Sequence, residues 1–259
     1  MSFDLSIRSG TVPFKDCRTH GVRLNQVYIA GFLQYFHEIS DTISVQAVKR
    51  ASLVYAPHLR VPSHFLAQVF FIEDKRFPIH PGIDPLAVIR AILHNLSGIT
   101  PFQGGSTITQ QLYDVLGFSK GLRRRSWRRK IGQTIWALKT TALRPKQAVL
   151  RDYLQHVYWG RSYFGLDQAA RGYFGVSRTN LSLAQSFFLA ERLAFPNRVR
   201  SARVISLFFR KAIFEMFKHD YSSISELVNC YVRFSQDGAE LCMFLERFHR
   251  KLAERTRRC

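Results

Sequence analysis

Acidic residues and cysteines are both scarce in this sequence. Of its 259 residues, 18 are aspartate or glutamate and 38 are lysine or arginine, which gives a formal net charge of +20. A surface of this charge attracts polyanions, meaning nucleic acid, anionic lipid headgroups or pyrophosphate-bearing substrates. The four cysteines show neither a CxxC pair nor the spacing of metal ligands. We therefore expect free, structural thiols rather than a zinc site or a disulfide framework.

Long apolar runs are also absent. No stretch reaches the roughly 18 apolar residues of a membrane-spanning helix, so none is predicted. The best N-terminal candidate, residues 27–36, is short, is interrupted by Gln34 and follows charged residues, which does not fit an ordinary signal peptide. Strand-like alternation is scarce, whereas apolar residues recur at helical spacing. An all-α fold is therefore predicted.

Apolar spacing and helix-start signals define the first predicted helices. Pro57 is expected to end the first of them, and Pro85 is expected in the first turn of a later one. Thr107 and Gln110 have the spacing of a capping box, which predicts a helix start there. The apolar face of the first helix consists of Ile43, Ala47, Ala51 and Val54. The apolar face of the helix at Pro85 consists of Leu86, Ile89, Ile92 and Leu93.

The rest of the chain is also predicted to be helical. A basic segment over residues 120–130 precedes a helix over 131–143, and a further helix covers 145–158. Residues 181–193 are apolar on nearly all sides, which indicates a buried helix. Residues 201–259 are expected to form two or three basic, amphipathic helices.

Two short segments carry the strongest functional signal. They are EDKRFPIHPGID at positions 73–84 and GGSTITQQ at positions 104–111. In this order they resemble the first two motifs of the peptidoglycan glycosyltransferases, glycosyltransferase family 51. The resemblance continues through Arg129-Lys130 and Tyr153-Leu154 and reaches Tyr173-Phe174-Gly175.

The resemblance implies a division of the chain into three parts. Residues 61–200 are expected to form an all-α, lysozyme-like glycosyltransferase domain. Residues 1–60 are an N-terminal extension of unknown role, and residues 201–259 are a basic helical extension. A monofunctional, transglycosylase-like protein is expected, because only about 60 residues follow position 200.

Glu73 is the expected catalytic base. Glycosyl transfer to a hydroxyl group needs a base that takes the proton as the oxygen attacks. The resemblance assigns this role to Glu73, with the 4-hydroxyl of an acceptor N-acetylglucosamine as the attacking group. The ordinary alternative is an acidic helix end paired with Lys75 or Arg76. The family residues around Glu73 favour the functional interpretation.

The remaining candidate residues follow from the same resemblance. Asp74 is expected to hold basic neighbours or to approach a divalent ion, Mg²⁺ or Mn²⁺, although no cofactor is certain. His80 is expected to be a structural partner of the acidic pair. The glycine pair and helix start of the second motif suit phosphate or sugar groups, and a capped helix after a turn is the alternative. The implied substrate-binding residues are Asp74, Phe77, Gly105, Ser106, Thr107, Gln110, Gln111, Arg125, Arg129 and Lys130.

The basic segment is open to two interpretations. A solvated charged loop or a nucleic-acid patch is the general one. The resemblance instead favours contact with pyrophosphate or anionic lipid, for which the planar donor fork of arginine is suited.

The third to fifth motifs depart from the family pattern. Gln133 stands at the second catalytic position, where the family has glutamate, and it cannot carry charge or act as a base. Asp114 and Gly132 each replace a common lysine. The other departures are Arg151 and Gln155 for the usual glutamate and asparagine, and Gln185 for a glutamate.

Three functions are therefore weighed. The first is an enzyme that polymerises lipid-linked disaccharide-pentapeptide and releases undecaprenyl pyrophosphate. The second is an impaired pseudo-enzyme that binds cell-wall precursor or a cell-wall partner. A nucleic-acid binder is not expected, because no helix-turn-helix or RNA-binding signature occurs.

The expected partners and location follow from the first function. The partners are the lipid-linked precursor, an anionic membrane surface and cell-wall synthesis proteins. The resemblance implies the periplasmic face of a bacterial inner membrane, held peripherally. A cytoplasmic location stays open, because no signal peptide or spanning helix is seen.

Overall fold

Helices make up almost all regular structure in the part of the chain that the structure, a computed structural model, describes. The described residues are 46–96, 104–121, 126–194, 196–197 and 221–234. They belong to one unit, Ile43–Cys259. Within these ranges the β pairing is limited to an isolated antiparallel bridge between Tyr158 and Phe164. The predicted all-α class is confirmed.

Nine α-helices follow one another in the described ranges. They are α1 (residues 46–59), α2 (Ser63–Glu73), α3 (Pro85–Leu96), α4 (Ile108–Val115), α5 (Trp127–Leu143), α6 (Lys146–His156), α7 (Leu166–Phe174), α8 (Leu183–Ala194) and α9 (Tyr221–Phe234). A short 3₁₀ helix, Arg178–Asn180, precedes α8. Each of these helices is too short or too polar to cross a membrane.

The core is built around α8, which packs against α2 and α9. Phe187 and Phe188 on α8 are fully buried, as the apolar sequence predicts. The Phe188 ring contacts Tyr173, Tyr231 and Phe234 at centroid distances of 5.2–5.4 Å. Burying each phenylalanine contributes roughly 1.5–3 kcal/mol. This aromatic cluster fixes the scaffold beneath α2, whose last residue is Glu73.

Helix α1 differs from its prediction at its end and on its buried face. Pro57 does not stop the helix, which continues to residue 59. It ends instead at Arg60, whose φ of +53° lies in the left-handed region, while the Val61 N–H donates to the Ala56 carbonyl at 3.2 Å. This is the usual glycine position of a helix end, and a side chain there costs about 1 kcal/mol. Val54, expected to be buried, is 50% exposed.

Helix α3 is also turned relative to its prediction. Leu86, Ile89 and Ile92 are 37%, 45% and 52% exposed, while Ala87 and Ala91 are buried. The reason is a close approach of backbones, because a Cβ on Gly105 would lie 3.0 Å from the Ala87 carbonyl oxygen. Small residues on both sides permit this contact, and the large apolar side chains are left outside. The side chain of the fourth predicted residue, Leu93, lies outside the described set.

Two further boundaries shift. Helix α5 starts at Trp127 rather than Ile131, so the basic residues 128–130 form its first turn. Helix α6 ends at His156, because the chain then forms the Tyr158 bridge. Of the helices predicted over residues 201–259, α9 is described, and residues 201–220 and 235–259 lie outside the described residues.

Candidate active site

The turn between α2 and α3 holds the first motif in place. Arg76 pairs with Asp84 at 2.8 Å, and both side chains are buried. The second Asp84 oxygen accepts the Ala87 N–H at 3.1 Å and so caps α3. Gly82 has φ +103°, and a Cβ there would lie 2.4 Å from the Ala137 carbonyl oxygen. The turn is therefore fixed against α5, and it holds in place the carboxylates of Glu73 and Asp74, which lie at its start.

Asp74 is a buried carboxylate that two donor groups hold through three contacts. His80 Nε2 donates to its two oxygens at 3.1 and 2.9 Å, and the Ile108 backbone N–H donates at 2.9 Å. Ile108 is the first residue of α4, so this charge lies at the positive end of the helix dipole. The predicted role of His80 as a structural partner of the acidic pair is thus what its contacts show.

The α4 start is more occupied than the sequence suggests. The predicted capping box is present: the Gln110 N–H donates to Thr107 Oγ1, and the Thr107 N–H donates to Gln110 Oε1. Thr107 Oγ1 also donates to the Gly82 carbonyl at 2.6 Å. Because Asp74 and the cap use these groups, the expected phosphate site at the helix start is filled by the protein's own carboxylate.

Lys146 completes the surroundings of His80. Its ammonium lies 4.4 Å from the Phe77 ring centroid and 3.4 Å from His80 Nδ1, which also accepts the Gly82 N–H. Burial lowers the pKa of Lys146 to about 8, and the nearby Asp74 charge opposes the shift. Lys146 is therefore a mostly protonated cation beside the Asp74–His80 pair at neutral pH.

Glu73 has a different environment from its neighbour. Gln111 Nε2 donates to Glu73 Oε2 at 2.8 Å, and the Tyr153 hydroxyl donates to Gln111 Oε1 at 2.7 Å. Tyr153 thereby orients the amide so that its N–H group faces Glu73. Burial raises the pKa of Glu73 to about 7, the Gln111 bond opposes this shift, and Asp74 adds to it. The result is a carboxylate that gains and loses a proton near neutral pH.

A cavity of about 70 Å³ lies beside the two carboxylates. Glu73 and Asp74 line it together with residues 104–107 of the second motif and three basic residues. The basic residues are Lys75, Arg76 and Arg90. The structure therefore brings the acidic pair and the second motif to one small polar cavity.

Lys130 connects the basic segment to this region. Its Nζ donates to Ser106 Oγ at 2.9 Å, and both side chains are exposed. Although the residue as a whole is exposed, partial desolvation of its ammonium group lowers the pKa of Lys130, the adjacent Arg129 lowers it further, and Asp114 opposes both. Among the predicted pyrophosphate contacts that the structure describes, Lys130 thus contacts the second motif.

Arg129 and Gln133 are both attached to Asp114. Arg129 donates to both Asp114 oxygens, from Nε at 2.8 Å and from Nη2. Gln133 Nε2 donates to Asp114 Oδ2 at 2.6 Å, and Gln133 is only 5% exposed. The two departures from the family pattern, at positions 114 and 133, therefore contact each other.

Two predicted substrate-binding residues are inside the protein. Phe77 is fully buried and stacks on Phe70 at 5.5 Å. Gln110 is 2% exposed and donates to Thr134 Oγ1 at 3.1 Å, in addition to capping α4. Neither faces the cavity, so both support the motif rather than meet a ligand. Arg125 lies outside the described residues.

The sequence interpretation missed Lys146 as a site residue and gave Tyr153 no individual role. Tyr153 belongs to a recognised motif, so a signal existed. Lys146 lies 66 positions from His80 in sequence, and no local pattern marks a lysine at a helix start as part of a site.

Asp74 does not have the environment of a metal ligand. Its oxygens already accept three hydrogen bonds, and no group of three or more His, Cys, Asp or Glu residues suited to a metal occurs in the described part of the chain. A divalent ion at Asp74 does not fit these contacts.

Comparison with known proteins identifies the family. The family model described as Transglycosylase matches residues 40–213. The chain is 37% identical over 131 residues to penicillin-binding protein 1A of Aquifex aeolicus, covering 51% of this chain and 18% of that protein. It is 34% identical over 138 residues to penicillin-binding protein 1A of Streptococcus pneumoniae, covering 53% of this chain and 19% of that protein.

A shorter relative matches over more of its length. The biosynthetic peptidoglycan transglycosylase of Ectopseudomonas mendocina is 34% identical over 158 residues, covering 61% of this chain and 64% of that protein. The matched region thus spans about a fifth of the penicillin-binding proteins and just under two thirds of this relative. The chain belongs to the transglycosylase family, glycosyltransferase family 51. The expected lysozyme-like fold is confirmed with it.

Proposed function

We propose that this chain is a peptidoglycan glycosyltransferase in which Glu73 activates the acceptor hydroxyl. The observation that carries the proposal is the Glu73 carboxylate, which lines the cavity, is oriented by Gln111 and has a pKa raised to about 7. A general base is most effective when its pKa lies near the working pH. Asp74 is a poorer candidate for the base, because it is buried and both of its oxygens already accept hydrogen bonds from His80 or Ile108.

The proposed substrate is a lipid-linked disaccharide-pentapeptide. The 4-hydroxyl oxygen of the acceptor sugar attacks the anomeric carbon of the donor, and the hydroxyl proton passes to Glu73. A glycosidic C–O bond forms with inversion, and the bond from the anomeric carbon to the pyrophosphate oxygen breaks. Undecaprenyl pyrophosphate leaves with the electron pair.

Lys130 is the proposed contact for the leaving pyrophosphate. Negative charge grows on that group as the bond breaks, and a fixed cation stabilises it. Lys130 is exposed and bonded to Ser106, which lines the Glu73 cavity. Arg129 is less available, because both of its described donors bind Asp114.

The Arg129–Asp114 contact favours a second candidate, an impaired protein that binds cell-wall precursor or a cell-wall partner without turnover. Asp114 places a negative charge beside the expected pyrophosphate contacts. At about 4 Å and an effective dielectric of roughly 20, an unpaired unit charge changes the interaction by about 4 kcal/mol, and the ion pair between Asp114 and Arg129 reduces this effect. Gln133 adds no base to offset this.

Polymerisation of lipid-linked precursor separates the candidates. The unaltered protein is expected to lengthen glycan strands, and Glu73→Gln is expected to lower the rate by about 10²–10⁴-fold. Glu226→Gln on α9, an acid bonded to Ser182 at 2.7 Å, is the control and is expected to keep full activity. Full activity of Glu73→Gln contradicts the mechanism. Precursor binding without turnover by the unaltered protein establishes the second candidate.

We also propose attachment to an anionic membrane surface. The net charge of +20 and the exposed apolar side chains of α3 support it. Each lysine or arginine near such a surface contributes about 1 kcal/mol.

Co-sedimentation with vesicles tests this attachment, and it is expected to require anionic lipid and to weaken with salt. Deleting residues 240–259 is expected to weaken it too, and so is Ile89→Gln/Ile92→Gln, whereas Val54→Gln on α1 is the exposed apolar control. Salt-insensitive binding, or none, contradicts attachment by charge.

A further inference from the structure

A second cavity lies at the end of α1, away from the Glu73 cavity. Its volume is about 230 Å³, and it shares no lining residue with the first. The polar lining consists of His58, Arg60, Arg151, Gln155 and Arg178, and the other four lining residues are apolar. Three guanidinium groups and no carboxylate therefore face one concave space.

The cations of this cavity are only partly compensated. Arg178 pairs with Asp167 at 3.2 Å, and that aspartate side chain is 56% exposed. Arg60 and Arg151 make no ion pair with any residue in the described ranges. The apolar floor includes Leu154 and Leu166, both buried. A cleft lined by charge of one sign over a low-dielectric floor concentrates the electric field and attracts counter-ions.

A helix start adds to the positive potential. Leu166, the first residue of α7, lines the cavity, and Gly165 before it offers no side chain to cap the helix. The unpaired N–H groups of a helix start carry a partial positive charge. The start of α7 thus lies at this cavity, with Asp167 in its first turn paired to Arg178.

Two departures from the family pattern meet in this cavity. Arg151 stands where the family usually has glutamate, and Gln155 where it has asparagine. A glutamate at position 151 would place a carboxylate in the lining, so this one change moves the local charge by two units. Arg60 adds a second lining cation from the end of α1, at a left-handed position that glycine would favour.

We propose that this cavity, which we call the arginine cavity, binds a small ligand carrying a phosphate or diphosphate group. Arginine pairs with phosphate through two parallel N–H donors, which suits three guanidinium groups around one anion. At about 10–15 Å³ for each water-sized group, the volume holds roughly 15 such groups. That is enough for a sugar phosphate or a lipid headgroup and too little for a folded polymer.

Calorimetric titration with inorganic pyrophosphate at low salt tests the proposal. Arg151→Glu is expected to weaken one binding event by at least about tenfold. Arg171→Glu makes the same charge change on an exposed residue of α7 outside the lining, and it is expected to leave that event nearly unchanged. Lys130→Gln alters the Glu73 side and is also expected to leave it unchanged. Arg151→Gln, expected to be intermediate, serves if Arg151→Glu fails to fold.

Three results overturn the proposal. The first is that the unaltered protein shows no pyrophosphate binding. The second is that Arg171→Glu weakens binding as much as Arg151→Glu does. The third is that binding is lost in Lys130→Gln and in no other variant. Vesicles containing phosphatidic acid distinguish the sources of the ligand. For a lipid headgroup, Arg151→Glu lowers co-sedimentation and pyrophosphate competes, whereas for a soluble phosphate only the titration changes. Neither readout involves turnover, so the result is independent of the role of Glu73.

Discussion

The two ends of helix α4 hold aspartates in opposite electrical surroundings. At its start, Asp74 accepts the Ile108 N–H and lies at the positive end of the helix dipole. In its last turn, Asp114 lies at the negative end, where a carboxylate is unfavourable. Arg129 and Gln133 compensate it through side-chain bonds. Asp74 keeps the family pattern and is held in part by a backbone N–H group. Asp114 departs from that pattern, and its compensating contacts come from side chains.

Removing the charge at the α4 start is expected to have the largest effect on stability. Asp74→Asn weakens a buried group that accepts from His80 and Ile108, and an amide nitrogen facing these donors leaves one of them unpaired. We expect a loss of about 2–4 kcal/mol in the free energy of unfolding, measured with denaturant. Asp167→Asn, at an exposed ion pair, is the control and is expected to cost under about 1 kcal/mol. If Asp74→Asn lowers the free energy of unfolding by a similarly small amount, the bond from the Ile108 N–H to Asp74 does not stabilise the start of α4 as expected.

Replacing the neighbouring Glu73 is expected to raise stability instead, by an amount that depends on pH. Its pKa is raised from 4.5 to about 7 in the folded protein, so the folded state binds the proton more tightly than the unfolded state. This contribution to stability is present below about pH 4.5 and is lost as the pH rises through about 7. Because Glu73 is partly exposed, Glu73→Gln is expected to stabilise by about 1–2 kcal/mol at pH 8 and by almost nothing at pH 4.

Unfolding of both proteins at the two pH values provides the measurement. Glu226→Gln reports the effect of removing one acidic charge elsewhere on the molecule. An equal difference between Glu73→Gln and the unaltered protein at pH 4 and pH 8 would contradict the raised pKa.

Sequence patterns predicted helix positions better than helix orientations. The buried α8 and the Thr107 cap were predictable, because a run of apolar residues and a capping box are local signals. The exposed face of α3 was not, since it depends on how closely Gly105 approaches Ala87. Apolar periodicity identifies a face but does not tell which neighbouring backbone comes close enough to displace it.

The site shows the same division. The first two motifs are short segments at helix ends that lie side by side, since Gln111 Nε2 donates to Glu73. The contacts that set their chemistry come from Lys146 and Tyr153 on α6, and only packing brings these residues to the site. The bond between positions 114 and 133 likewise depends on how α4 lies against α5.

That bond changes what is expected of Gln133→Glu. For an impaired enzyme, the sequence predicts that this change, alone or with Asp114→Lys, raises turnover by restoring the charges of the family pattern. In the structure, Asp114 Oδ2 lies 2.6 Å from the Gln133 amide nitrogen. A glutamate at position 133 would therefore place its carboxylate against that of Asp114. We expect Gln133→Glu alone to lower stability by about 1 kcal/mol without raising turnover, because the Arg129 cation and the partial exposure of Asp114 reduce the repulsion.

The double variant sharpens the comparison. Asp114→Lys/Gln133→Glu places opposite charges together and releases Arg129 from its present partner. It is expected to regain the lost stability and to polymerise precursor faster than either single variant. A gain in turnover from Gln133→Glu alone that matches the double variant would contradict the coupling of these positions.

The smallest predicted effect concerns Gly132, beside the Asp114 end of α4. Glycine inside a helix costs about 1 kcal/mol relative to alanine, so Gly132→Ala would ordinarily stabilise α5. Here an added Cβ would lie 2.8 Å from the Tyr113 hydroxyl oxygen, and the next nearest Tyr113 atom is at 3.3 Å. We expect almost no gain from Gly132→Ala alone and a gain of roughly 0.5–1 kcal/mol when it is made in Tyr113→Phe, which lacks that oxygen. A double-mutant cycle of unfolding free energies measures this difference. Equal gains in both backgrounds would mean that Tyr113 does not determine the glycine at this position.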